Sequence, residues 1–180
     1  MVIENSKSEI ADKLKKLSDF SRIDYLERCL MEKKDLFIKT FCHHKLAEFY
    51  SSKRMFGKAA QHMDAIARLG TTYNEKLQYY MEVVRLLVEA GDYHHAVEVF
   101  DKTLSYANNF RRVELKKEFL MILRARAERL EGNLKRAGAL EVFEVLYRLS
   151  DDVDKKWIKQ KLIKYYEMFG KSKELARMRA

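Results

Sequence analysis

Residues 77–106 read LQYYMEVVRLLVEAGDYHHAVEVFDKTLSY, and this stretch decides the fold. Its first half sets Tyr80, Val83, Val84 and Leu87 at helical spacing, and its second half does the same with Ala96, Val99, Phe100 and Leu104. Between the halves, Gly91 can end one helix and Asp92 can cap the next. The segment therefore predicts two antiparallel helices joined by a tight turn.

The same pattern fits residues 40–69, with Leu46, Ala47 and Tyr50 in the first helix, Phe56 in place of Tyr93, and Ala59, Met63 and Ile66 in the second. A Gly-Asp-Tyr turn followed by Ala96 and then Phe100 resembles the second half of a tetratricopeptide repeat. In that family the small residue lies where two helices approach closely, and the aromatic wedges against the next hairpin. The two units are 37 residues apart, against about 34 for the family, and the extra residues fall around Gly70-Thr71-Thr72-Tyr73-Asn74. Looser hairpins follow at 118–149, turning at Glu131-Gly132-Asn133 with Ala139, Phe143 and Leu146 in the second helix, and at 155–179, turning at Phe169-Gly170-Lys171. Two short amphipathic helices, from Ser8 to Leu17 and from Ser21 to Glu32, are read within residues 1–39 as a cap on the open end of the stack, with Ser21 and Asp24 as a capping box. The fold expected is all-α, one domain over residues 1–180. The resemblance implies an α-solenoid of antiparallel helical hairpins wound as a right-handed superhelix.

Composition agrees with this reading. The chain has no proline and six glycines, which leaves few residues for β-turns, and its 47% hydrophobic and 35% charged residues suit a folded core with a solvated surface. No apolar run approaches the roughly 20 residues that span a bilayer, and residues 1–16 alternate charged and apolar side chains, unlike a secretory signal. A cytoplasmic protein without a membrane partner is expected. The net charge is +9, with 16 Lys and Arg against 13 Asp and Glu in residues 1–90 and 20 against 14 in residues 91–180, which favours anionic partners.

The candidates for chemistry are thin. His43-His44 and His94-His95 are adjacent pairs, and neighbours on a helix point about 100° apart, so neither pair can chelate one ion; His62 stands alone. Cys29 and Cys42 have no metal-ligand spacing and read as ordinary thiols. Gly170-Lys171-Ser172 echoes the end of a phosphate-binding loop, yet Tyr165 stands where that loop needs its first glycine. No catalytic residue, metal or cofactor is expected.

The resemblance also implies a concave groove lined by the first helix of each hairpin, contacted from the second, fifth, ninth and twelfth places of each repeat. Those places fall on Phe41, His44, Glu48 and Ser51, then Gln78, Met81, Arg85 and Val88, and in the looser third hairpin on Phe119, Ile122, Arg126 and Arg129. Phe41, His44, Gln78, Met81, Arg85, Val88, Ile122, Arg126 and Arg129 are the partner contacts expected. Trp157, among Asp154, Lys155, Lys156 and Lys159, reads as packed on the preceding hairpin or as a half-exposed anchor. The expectation is a non-catalytic protein–protein interaction module, a scaffold or adaptor that holds an acidic protein or peptide segment in the groove. Second comes a nucleic-acid role, an RNA- or ribonucleoprotein-binding accessory factor. It depends on whether Arg111, Arg112, Lys116, Lys117, Arg124, Arg126, Arg129, Lys135 and Arg136 form one patch. A homo-oligomer through exposed helix edges is compatible with either.

Overall fold

The computed structural model describes residues 3–179; Met1, Val2 and Ala180, which the one-domain expectation included, lie outside the described residues, as do the side chains of Asp152 and Val153. The described residues form ten helices and no strand: α1 (Lys7–Lys15), α2 (Asp19–Glu32), α3 (Leu36–Ser52), α4 (Phe56–Leu69), α5 (Tyr73–Ala90), α6 (Tyr93–Leu104), α7 (Asn109–Gly132), α8 (Arg136–Leu149), α9 (Asp152–Met168) and α10 (Ser172–Arg179). The all-α expectation holds, and α3–α4, α5–α6, α7–α8 and α9–α10 succeed one another as helix pairs joined by short turns.

Local chemistry explains where helices begin. Asp35 caps α3 by accepting from the Phe37 and Ile38 amides at 2.7 and 3.1 Å, and Asn108 caps α7 by accepting from the Arg111 amide at 2.9 Å. At α5, Thr72 Oγ1 accepts from the Glu75 amide while Glu75 Oε2 accepts from the Thr72 amide, a reciprocal capping box. Asp92 accepts from the His95 amide at 3.2 Å, as its place after Gly91 predicts. One expectation is corrected: α2 is capped by Ser18, which accepts from the Ser21 amide, and Ser21 lies inside the helix. Both serines could cap, and the earlier one extends the helix by a turn.

All four hairpins turn in the same way. A single residue takes the left-handed backbone in each: Arg54 (φ 58°), Gly91 (φ 85°), Leu134 (φ 58°) and Gly170 (φ 66°). In three of them the next amide reaches back over the turn, Met55 to the Tyr50 carbonyl, Lys135 to Leu130 and Lys171 to Tyr166, at 2.8–2.9 Å. The third turn thus centres on Leu134, not on Gly132, which closes α7. The helix itself starts well before residue 118, where the sequence pattern placed it.

The chain divides into two compact units. The first comprises residues up to Ala90 together with Ala96–Ala107, and the second Gly91–His95 together with residues from Asn108 onward. Within each unit consecutive helices pack on one another, α2 to α5 in the first and α7 to α10 in the second, the sequential arrangement of an α-solenoid. The first core is built on Leu46, Ala59, Ile66, Tyr80, Val84 and Ala96, and Tyr80 stacks on Tyr106 at 5.7 Å. The second is built on Leu115, Phe119, Leu123, Ala139, Phe143 and Leu162, all at most 1 % exposed. Each of the Leu, Ile, Val and Phe side chains among them contributes about 1.5–3 kcal/mol of burial, and each alanine less than about 1 kcal/mol.

Candidate partner-binding cleft

The shared turn gives a register that the sequence pattern could not. Phe41, Gln78, Met121 and Trp157 each stand 13 residues before the left-handed residue of their hairpin. In the third hairpin, the equivalents of Gln78, Met81, Arg85 and Val88 are therefore Met121, Arg124, Glu128 and Glu131. The expected Phe119, Ile122, Arg126 and Arg129 follow from a different register, one that takes the glycine at 132 for the turn. Phe119 is core, Ile122 and Arg126 are half-buried, and Arg129 is exposed on a different face of α7 from Arg124.

Met121, Arg124 and Trp157 meet at one place in the second unit. With Lys117, Leu120, Leu146, Ser150, Asp154 and Ile158 they line a cleft of about 270 Å³, walled by α7 and α9 and floored by the end of α8. Trp157 is half-buried: its ring meets Phe143 edge-on at 5.7 Å, and the Arg124 guanidinium lies over it at 4.6 Å. Arg124 is thus held by a cation–π contact and a loose 4.0 Å pair with Glu128, both of which leave it exposed. Met121 is 63 % exposed, a large apolar side chain facing solvent at the cleft.

The wall beyond the cleft is braced. Glu131 accepts from the Tyr165 hydroxyl at 2.7 Å and from Lys161 at 2.8 Å. Burial pushes the Glu131 carboxyl up, but hydrogen bonds from Lys161 and Tyr165 and the Lys161 charge outweigh it and hold the group below its usual value. Burial first, and then the bond to Glu131, push the Tyr165 phenol well above the ordinary range. The brace ties the end of α7 to α9.

The expected contacts in the first unit have a mixed fate. Gln78 and Arg85 are exposed, and Arg85 pairs with Glu82 at 2.7 Å. Phe41 and His44 are half-buried, with Lys45 over the Phe41 ring at 5.8 Å and Tyr79 edge-on to His44 at 5.7 Å. Met81 and Val88 are packed in the core at 5 % and 0 % exposure, unlike the exposed Gln78 and Arg85.

Two further clusters bear on chemistry. His62 is not alone: its Nδ1 lies 3.0 Å from His43 Nδ1, and Tyr50 stacks on its ring at 5.5 Å. Burial, and then the neighbouring His62, bring His43 down to about 4, and burial lowers His62 and His44 as well, so the trio is neutral at physiological pH. Cys29 and Cys42 are fully buried; burial raises both, Cys42 to about 12, which keeps them as unreactive thiols. Among the described residues no group of three His, Cys, Asp or Glu side chains is arranged to hold a metal ion.

No family model, curated protein or solved structure matches the chain. The described residues show a repeat-like arrangement of helical hairpins that identifies no family.

Proposed function

We propose that the protein is a non-catalytic interaction module that holds a segment of a partner protein in the α7–α9 cleft. The observation that carries this is the meeting of exposed Met121, half-exposed Trp157 and exposed Arg124 and Lys117 in one concave site, an apolar anchor with cations at its rim. The charge of the second unit supports an acidic partner: it holds 19 Lys and Arg against 12 Asp and Glu, a net +7, while the first holds 17 against 15, a net +2. Among the described residues no helix is long and apolar enough to cross a membrane.

The same charge favours a second reading, RNA binding through the basic unit. Against it, the cations of α7 are spread around the helix, with Arg111 and Arg129 turned roughly 130° away from Lys117 and Arg124 at about 100° per residue. Backbone binding of nucleic acid needs clustered charge.

The test is affinity capture from lysate with and without nuclease, repeated with Met121→Glu and Arg124→Glu, both at exposed positions that leave helicity intact. A nuclease-resistant partner lost from both variants is expected. Arg85→Glu separates this site from the α5 surface read from sequence, because loss with that change alone moves the site to the first unit. A partner released by nuclease, with an affinity for generic RNA that falls by orders of magnitude between about 50 and 200 mM salt, makes the RNA reading first.

A further inference from the structure

We infer that the segment taken by the α7–α9 cleft is an acidic amphipathic α-helix, an inference that rests on the interaction-module reading above. The first ground is the shape of the apolar surface. Phe110, Val113, Lys117, Met121 and Arg124 succeed one another at steps of three and four residues, so they lie along one face of α7. Phe110 is 75 % exposed and Val113 56 %, which continues the apolar strip from Met121 back along the helix. Eleven residues at 1.5 Å each make a straight strip of about 16 Å, the length of three helical turns.

The second ground is hydrogen bonding. An extended peptide brings unpaired backbone N–H groups that need acceptors, whereas a helix satisfies its own backbone. The walls are helices whose amides and carbonyls bond internally, and the polar side chains lining the cleft are Lys117, Arg124, Ser150 and Asp154. Two of these four only donate. A strand laid here would find acceptors for its amides only at Ser150, Asp154 and in water, while a helix bonds its own backbone and needs only an apolar floor and charge at its flanks.

The third ground is the asymmetry of charge. Lys117 and Arg124 stand two turns apart on the α7 wall, and Asp154 stands on the α9 wall. The bound helix therefore carries Glu or Asp two turns apart along the flank that meets α7, and polar or basic residues on the flank that meets Asp154. An all-acidic helix would be repelled on one side.

Trp157 is the chain's one tryptophan and lines the site, so its fluorescence reports occupancy by any tryptophan-free ligand. The experiment uses the full chain and two phage-displayed libraries of 18-residue segments, in which Glu is fixed along one flank and the apolar positions are varied among Leu, Ile, Met and Phe. One library has helix-forming residues between these positions, and its match has proline at two central ones. Selection is expected to enrich the helical library alone, and the selected peptides to shift Trp157 emission. Arg124→Glu should weaken them at least tenfold, and exchange of their Glu for Lys should restore binding to that variant; Lys117→Glu provides the same comparison independently. Equal enrichment of the proline library would overturn the helix while leaving the module reading intact. Selected peptides that ignore both charge reversals, or no enrichment at all, would overturn the inference as well. A dimer that Met121→Glu converts to monomer would assign the cleft to a second copy of this chain, and an RNA that displaces the peptides and moves Trp157 emission would overturn both readings.

Discussion

Leu134 and Arg54 hold backbone conformations that suit glycine, at φ 58°, and the Leu134 side chain is 74 % exposed, so it gives little packing in return. The left-handed conformation costs a residue with a Cβ about 1–2 kcal/mol, part of which glycine loses again through its freer unfolded chain. Leu134→Gly is expected to stabilise the protein by about 0.5–1 kcal/mol in urea unfolding, and Gly91→Ala, at φ 85°, to destabilise it by about 1 kcal/mol. A loss of stability in Leu134→Gly would mean that its side chain packs in a way its exposure does not reveal. These two positions also mark the limit of what the sequence discloses. The turns at Gly91 and Gly170 are legible because glycine announces a left-handed residue, whereas Arg54 and Leu134 announce nothing. Gly132, two residues short of the true turn, misdirects the register, and the groove positions of the third hairpin move with it.

The helical elements were legible where periodicity and the hairpin contact coincide. Ala59, Ala96 and Ala139 occupy equivalent places five residues after their turn residues, and each has no exposed surface. At such a place only a small side chain lets the paired helices approach, so Ala96→Trp is expected to cost about 1–3 kcal/mol through overpacking, measured as a lower urea midpoint with the helical spectrum retained. A neutral Ala96→Trp would mean that the hairpin contact is looser than its burial indicates. The start of α7 was not legible. Its first two turns bury only Leu115 while Phe110 and Val113 face solvent, so apolar residues fall on two faces and the period of 3.6 is blurred. That ambiguity hid the strip running into the cleft. The signal that could have found the cleft was the equal spacing of Trp157 to Gly170 and Gln78 to Gly91, which gives the tryptophan the register of an expected contact without reference to the third turn.

On the scale of the whole molecule, the two units differ in their titratable chemistry as well as in their charge. His43, His44 and His62 all belong to the first, and burial depresses all three. A histidine whose folded value lies below its unfolded value of about 6.5 favours the neutral native state, so its contribution to stability is complete above about pH 6.5 and is lost as the pH falls toward about 4, where His43 titrates. The carboxylates held below their usual values, among them Asp19, Glu75 and Glu131, run the same way but lose their contribution only below about pH 4.5. Comparing pH 7 with about pH 5 therefore isolates the histidines. Trp157 lies in the second unit, so its fluorescence reports that unit, while far-ultraviolet circular dichroism reports every helix. Urea unfolding at about pH 5 is expected to show a dichroism transition moved to lower urea ahead of the Trp157 transition. His62→Gln, which can hydrogen-bond His43 without taking a charge, is expected to shrink that shift. Dichroism and fluorescence midpoints that move together between the two pH values would mean that the units unfold as one, and a shift unchanged in His62→Gln would take the acid sensitivity away from the histidine pair.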